Sequence, residues 1–183
     1  DLATAMVEAA GEPIGEFGNE FQSGSPGGPP RDRRIAGGEI AIYDLTAIYR
    51  GYACDVCRSF AVDGRPTAAQ RAAQRRIAAF LRYIEKTVRP GVSCRGLFEE
   101  ARDWLHGYRG WQFTHHLGHG VGLAPHEAPR LNPKWDDVFQ VGDVFAAEPG
   151  LYGPELRAGV RIENNYLVTR TGVECLSRAT LAL

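Results

Sequence analysis

Four of the five histidines in this 183-residue chain fall within twelve positions, in the stretch HHLGHGVGLAPHEAP. They are His115, His116, His119 and His126. Imidazole is the usual acid–base group near neutral pH and the commonest metal ligand, so this segment is the first place to look for chemistry. His119 and His126 sit in a frame of glycines and prolines that fixes the backbone around them. His116 and the fifth histidine, His106, read as structural.

A second set of residues is out of place in a different way. Asp44 lies in the middle of the apolar run EIAIYDLTAIY, and Asp55 lies eleven residues on in YACDVCRSFAV. Glu148 follows Val144-Phe145-Ala146-Ala147, and Glu163 follows Val160-Arg161-Ile162. Taken singly, each has an ordinary reading as an edge, turn or solvent-facing residue. Taken together, four carboxylates in strand-like settings are costly to bury unless their charge is met. Two divalent cations carry the +4 that four carboxylates require, and a neutral imidazole adds a ligand without changing that balance. Asp44, Asp55, His119, Glu148 and Glu163 therefore make a sensible two-metal set. Paired metals ~3.5–4 Å apart are a hydrolytic arrangement, because they lower the pKa of water towards neutrality.

Several elements must bring these residues together. Residues 39–49 read as a strand, Arg50-Gly51 as a turn, and Tyr52 to Val62 as the returning strand of a hairpin. Pro66 and Thr67 open a long helix to about Val88, with Ile77, Phe80, Leu81, Ile84 and Val88 at helical spacing, stopped by Pro90-Gly91. Ser93 caps a second helix that buries Leu97, Phe98, Ala101, Trp104 and Leu105. Three strand-like runs follow the histidines: Val144 to Leu151, Val160 to Thr169 and Val173 to Leu176. Residues 22–30 (QSGSPGGPP) read as loop, and DLATAMVEAA at the start as the end of an amphipathic helix. Strands, two helices and strands again give an α+β pattern, an antiparallel sheet with helices on one face.

The bulk numbers exclude other classes. A chain of this length fits one domain, so residues 1–183 are expected to form a single unit. With 44% hydrophobic and 23% charged residues and a net charge of -1, there is no electrostatic case for nucleic acid or an anionic membrane. No apolar run approaches the ~18–20 residues needed to span a bilayer. Cys54-Asp55-Val56-Cys57 has C-x-x-C spacing, but no second pair follows and its context is a strand, so Cys54, Cys57, Cys94 and Cys175 read as ordinary residues of a reducing, cytoplasmic compartment. The sequence opens on Asp1-Leu2 without an initiator methionine, which fits a processed start or a piece of a longer protein.

The chain resembles the dinuclear metallopeptidases of the pita-bread fold: methionine aminopeptidases, aminopeptidase P, prolidase and the creatinase-like proteins. The resemblance runs from about residue 1 to the C-terminus. Its motifs stand here as Tyr43-Asp44-Leu45, Gly51-Tyr52-Ala53-Cys54-Asp55-Val56-Cys57-Arg58, HHLGHGVGL with His126-Glu127-Ala128-Pro129, Ala147-Glu148-Pro149-Gly150-Leu151-Tyr152, and Gly159-Val160-Arg161-Ile162-Glu163. The HHxGHGxGL form and the arginine two residues before the last glutamate look like the Xaa-Pro peptidase branch.

The resemblance implies an antiparallel sheet with helices on its outer face, in a catalytic domain short of its first N-terminal helix. It implies that Asp44 chelates one metal, that Asp55 and Glu163 bridge both, and that His119 and Glu148 complete the other. A hydroxide bridging the two metals would attack the N-terminal peptide bond of a short peptide with proline second. Glu148 would take the proton of that water, His126 would donate to the carbonyl oxygen, His115 would line the pocket and assist proton traffic, and Arg161 would anchor polar substrate groups or the site's own carboxylates. The oxygen-rich donor set favours Mn²⁺, with Co²⁺, Zn²⁺ or Fe²⁺ also able to load. A homodimer is compatible with the resemblance.

The chain departs from the family pattern in four places. Gly27 stands where a substrate-binding histidine is usual, in a Pro-His context before the first Asp strand. The chain is short. Cys57 replaces a frequent Thr, and Asn164 follows Glu163 where an acid is common. These departures keep open a metal-binding homologue without turnover, acting as a peptide-binding or scaffold module. Retention of four mutually repelling carboxylates argues for an enzyme instead. Hydrolysis of a non-peptide C–N bond, as in creatinase, is a third reading that the intact ligand set disfavours.

Overall fold

The computed structural model describes residues 20–177 and 179–183. The helix expected over residues 1–10 lies outside them. Ten strands and two long helices follow one another in the order β1 (Glu20–Ser23), β2 (Ile40–Tyr49), β3 (Tyr52–Ala61), α1 (Ala68–Thr87), α2 (Cys94–Leu105), β4 (Gly118–Gly120), β5 (Glu127–Leu131), β6 (Val144–Ala147), β7 (Gly150–Gly153), β8 (Ala158–Arg161), β9 (Asn164–Val168) and β10 (Val173–Cys175). The architecture is α+β, and among the described residues every strand pairing is antiparallel.

The expected sheet consists of three ladders, ordered β1-β2-β3, β10-β9-β6-β4-β5 and β7-β8. Two of the expected strands are in fact pairs. The run Val144 to Leu151 is cut after Ala147, because Pro149 has no N–H to continue the ladder with β4 and β9. The chain then enters the small β7-β8 ribbon. The run Val160 to Thr169 is likewise cut between Arg161 and Asn164. Ile162 and Glu163 leave the ribbon there, and the Glu163 N–H bonds to the Cys57 carbonyl of β3 at 3.0 Å. Hydrophobic patterning cannot see such a change of sheet. Nor are residues 22–30 all loop: Gln22 and Ser23 belong to β1, which pairs with β2.

The helices form as their caps dictate. Thr67 Oγ1 accepts from the Gln70 N–H while the Gln70 side chain accepts from the Thr67 N–H, a reciprocal capping box. Ser93 Oγ accepts from the Gly96 N–H and starts α2. α1 buries Ile77, Phe80, Leu81 and Ile84, and α2 buries Leu97, Phe98, Ala101 and Leu105, in one core with Phe139, Phe145 and Tyr166 from the sheets. Each large apolar side chain buried there contributes about 1.5–3 kcal/mol. Trp104, expected in that face, is half-buried, with the Arg76 guanidinium 4.7 Å over its ring. Among the described residues no helix is long and apolar enough to cross a membrane.

Candidate metal centre

The hairpin β2-β3 sets the first half of the site. Asp44 pairs with Cys57 in register, and Asp55 lies two residues from Cys57, so both carboxylates rise from one face as diagonal neighbours. β1 places Glu20 directly across from Asp44 on its other side. The second half comes from the five-stranded ladder and its exits. His119 is the middle residue of β4, squeezed between β5 and β6. A Cβ at Gly118 would collide with the Ala146 carbonyl, and one at Gly120 with the Ala128 carbonyl. The glycines flanking His119 are therefore what lets three strands close around it. The register shift between His119 and Gly120 turns the strand at that point. Glu148 follows β6, and Glu163 lies between β8 and β9. The Asn165 side chain bonds both Asp55 backbone groups, to O at 2.5 Å and from N at 3.3 Å, and so ties β9 to β3.

These residues line one cavity of about 390 Å³, together with His115, His116, His126, Arg161, Glu20 and Thr46. Donor atoms of Asp44, Asp55 and Glu163 lie within 4.8 Å of one another. So do those of His119, Glu148 and Glu163, and those of Asp55, His119 and His126. The first two groups share Glu163 and together take in all five residues singled out as ligands. The His119 ring has Nδ1 3.1 Å from the Gly120 carbonyl. A proton on Nδ1 donates there and leaves the Nε2 lone pair facing Asp55 Oδ2 at 3.9 Å and Glu148 Oε1 at 3.7 Å. This is the tautomer a metal-binding imidazole needs.

Without cations this arrangement is electrostatically unfavourable. Burial, with the Asp44 charge adding to it, pushes Asp55 up to about 7. Burial, opposed by Arg161 and reinforced by Asp44 and Asp55, pushes Glu148 up to about 8. Glu163 is raised well above the carboxylate range by burial and then by Glu148, Asp55 and Asp44. Burial lowers His119 to about 4, so its ring is neutral near pH 7. Asp55 Oδ1 and Glu163 Oε2 are buried without a hydrogen-bond partner among the described residues. Unmet carboxylate oxygens, a neutral imidazole aimed between them and two convergent donor groups fit a pair of divalent cations.

The other histidines separate by environment. His115 has Nδ1 2.7 Å from the His116 carbonyl and Nε2 2.8 Å from the Tyr152 hydroxyl. Burial lowers it to about 4, and both nitrogens are engaged. His126 is exposed and stacks on His119 with ring centroids 3.7 Å apart. His116, read from the sequence as structural, lines the cavity with Nδ1 3.3 Å from Glu148 Oε1. His106 does bond a backbone carbonyl, that of Phe113, at 3.1 Å. Arg161 is turned onto the site's own carboxylates: Nη2 donates to Asp44 Oδ2 at 2.5 Å and to Glu20 Oε2 at 3.3 Å.

Sequence reasoning missed Glu20, His116, Tyr152 and Asn165. For His116 the signal was present, since it adjoins His115 in the same segment. For Glu20 there was none, because it precedes the hairpin by a loop. Asn164, noted as a departure, has its Oδ1 accepting from Arg58 Nη2 at 2.8 Å, so an acceptor is kept at that position. Cys54 is exposed and Cys57 buried, both free, as ordinary strand residues should be. A Cβ at Gly27 would lie 3.7 Å from Glu20 Oε2 and 3.9 Å from Arg161 Nη1, so a side chain there would enter the cavity rim.

The chain is similar to known peptidases in sequence and in structure. It is 35% identical over 160 residues to the Xaa-Pro dipeptidase of Pyrococcus horikoshii, covering 86% of this chain and 45% of that protein. It is 36% identical over 159 residues to the Xaa-Pro dipeptidase of Pyrococcus furiosus, with the same coverage. Among solved structures, the prolidase from Pyrococcus horikoshii OT3 superposes with a TM-score of 0.79 at 32% identity, over 87% of this chain and 47% of that one. The Xaa-Pro dipeptidase from Bacillus anthracis superposes with a TM-score of 0.85 at 29% identity, over all of this chain and 52% of that one. The chain thus spans about half the length of these relatives and has their pita-bread fold. The model of metallopeptidase family M24 matches residues 10–170, and the chain belongs to that family.

Proposed function

We propose that residues 1–183 form a metallopeptidase catalytic domain that hydrolyses the N-terminal peptide bond of short peptides, with proline preferred in second place. The observation that carries this is the pair of donor groups joined at Glu163 inside one cavity. Asp44, Asp55 and Glu163 would hold one divalent cation, and His119, Glu148 and Glu163 the other, with Asp55 facing both groups. Mn²⁺ suits four carboxylates and one imidazole. Two such cations supply Lewis acidity and make water acidic near neutral pH.

The chain's own residues do the rest. Glu148 accepts the proton of the attacking water and can pass it to the leaving nitrogen. His126, exposed beside His119, donates to the carbonyl oxygen as it gains charge. His115 is locked between Tyr152 and the His116 carbonyl, so it shapes the wall and keeps the Tyr152 hydroxyl in place. Arg161 orients Asp44. An adjoining cavity of about 610 Å³ shares His115 and His116 and is walled by Phe98, Phe113 and Trp135, which gives an apolar leaving residue such as proline a place. The curated relatives named Xaa-Pro dipeptidase support the same substrate class.

One observation favours a second reading, a homologue that binds metal and peptide without turnover. Gly27 puts no side chain at the rim where the resemblance implies a substrate-binding histidine. Metal analysis joined to a screen of Xaa-Pro dipeptides, Xaa-Pro-Xaa tripeptides and Met-initiated peptides separates the two. We expect about two metals per chain and cleavage of the Xaa-Pro set. Two metals with no cleavage would establish the second reading, and no bound metal would refute both.

A further inference from the structure

We propose that Glu20 makes this pocket selective for peptides whose N-terminal residue carries a cationic side chain. This rests on the peptidase reading above. Glu20 is the cross-strand partner of Asp44, and like charges placed opposite one another in a sheet are unfavourable. Arg161 resolves the conflict by bonding both carboxylates through the same nitrogen, Nη2. The guanidinium therefore stands between Asp44 and Glu20. That puts Glu20 one charged layer outside the donor cluster. Its side chain is 54% exposed, against 15% for Asp44 and 9% for Arg161.

Two further features leave the outer carboxylate available. Among the described residues Arg161 bonds Glu20 through Oε2, and the other carboxylate oxygen adds hydrogen-bonding capacity at the cavity that Glu20 lines. Across from it stands Gly27, whose added Cβ would meet Glu20 Oε2 no closer than 3.7 Å. A glycine facing a carboxylate leaves a slot, and the slot fits an alkyl chain ending in an ammonium or guanidinium. The substrate's α-ammonium does not fit this role. It is one carbon from the carbonyl under attack and must sit at the donor cluster, inside Arg161. A lysine or arginine side chain on the same residue reaches outward past Arg161, where Glu20 can accept a charge-assisted hydrogen bond.

The test compares Lys-Pro with norleucyl-proline, which keeps the chain and loses the charge, on the Mn²⁺-loaded protein. We expect kcat/KM to favour Lys-Pro by about tenfold, the low end for a hydrogen bond to a charged group. In Glu20→Gln the ratio of the two should fall towards one, and in Glu20→Lys it should invert. An unchanged ratio in Glu20→Gln overturns the proposal, and so does an equal loss on both peptides, which would mark Glu20 as a prop for Arg161 alone. Failure to cleave any peptide would instead count against the peptidase reading. Calorimetric titration with L-lysinamide and L-norleucinamide then decides the Glu20 question by itself. Tighter binding of lysinamide that is lost in Glu20→Gln supports the proposal, and equal affinities overturn it.

Discussion

Arg161 Nη2 donates to Asp44 Oδ2 at 2.5 Å, so a guanidinium lining the pocket holds a carboxylate of the donor cluster. The contact fixes which Asp44 oxygen is left for a cation, and it places a positive charge among four carboxylates. Such a contact orients a ligand, and losing one of this kind typically lowers metal affinity 10–100-fold. Arg161→Met should therefore weaken Mn²⁺ binding by that factor in a calorimetric titration. It should also destabilise the metal-free protein by about 3 kcal/mol, the usual cost of breaking a buried charge pair. Arg161→Lys should recover part of the stability but less of the affinity, because an ammonium on a flexible stem is more strongly hydrated than a guanidinium and holds Asp44 less firmly in one orientation. Wild-type affinity in Arg161→Met would show that Asp44 needs no such guide.

The pH dependence of the metal-free protein follows from the raised carboxylates. Asp55 at about 7 and Glu148 at about 8 bind protons more tightly folded than unfolded, as does Glu163. Their stabilisation is complete at low pH and is lost as pH rises from the unfolded value near 4 through the folded values. His115 and His119, lowered to about 4, act in the opposite sense between about pH 4 and 6.5, where only the unfolded chain is protonated. The two effects oppose each other in acid, and the carboxylates act alone above about pH 6.5. Melting temperature in EDTA should thus fall from pH 6.5 to 8, at up to about 1.4 kcal/mol per pH unit for each carboxyl still titrating. Saturating Mn²⁺ should abolish that fall, since ligands bind cations deprotonated and affinity rises with pH. A flat EDTA profile over this window would mean the carboxylates do not repel as the geometry requires.

Part of this site was legible in the sequence, and the missing part has physical causes. The hairpin carrying Asp44 and Asp55, and both helices with their Thr67 and Ser93 caps, follow from local signals: alternation, period and capping side chains. Four of the five candidate ligands could be singled out because charge is conspicuous in apolar runs, and His119 because it stands in a glycine-framed cluster of histidines. What could not be read was any change of partner along a continuous apolar run. Glu148 and Glu163 each sit where the chain leaves one ladder for another, and burial on both sides of the break hides it. Glu20 was invisible for a related reason. Its role depends on the register with Asp44 across a loop of sixteen residues (24–39), and register is a non-local property. That His116 lines the cavity could not be read either, because a histidine beside another carries no periodic signal for which way it points.

Glu148 offers a test that separates chemistry from folding. Glu148→Gln removes the proton acceptor and one negative ligand while keeping the side chain's shape. Turnover should be lost by at least 100-fold, in keeping with the removal of a general base. The metal-free variant should melt higher than the wild type at pH 8, because one of the three carboxyls that burial and their neighbours raise is gone. At pH 5, where Glu148 is already protonated, the two should melt alike. Equal turnover would contradict the catalytic role, and a lower melting temperature at pH 8 would contradict the repulsion.

Gly27 is where the site can be rebuilt. Among the described residues a Cβ there meets Glu20 Oε2 at 3.7 Å and Arg161 Nη1 at 3.9 Å, both ordinary contacts, and the glycine is not in the left-handed region. Gly27→His should fold without strain and present an imidazole at the cavity rim. A donor there can bond the substrate carbonyl as charge develops on it, which typically brings 10²–10³-fold where the geometry is right. At the open rim of the cavity we expect the smaller gain of about tenfold in kcat/KM on peptides such as Ala-Pro. The same imidazole fills the slot facing Glu20, so the preference for Lys-Pro over norleucyl-proline should shrink in the variant even as turnover rises. The two effects have opposite signs on lysyl peptides and can be read from one set of rates. A gain without loss of preference would place the imidazole elsewhere, and no gain on any peptide would mean that this rim does not touch the scissile bond.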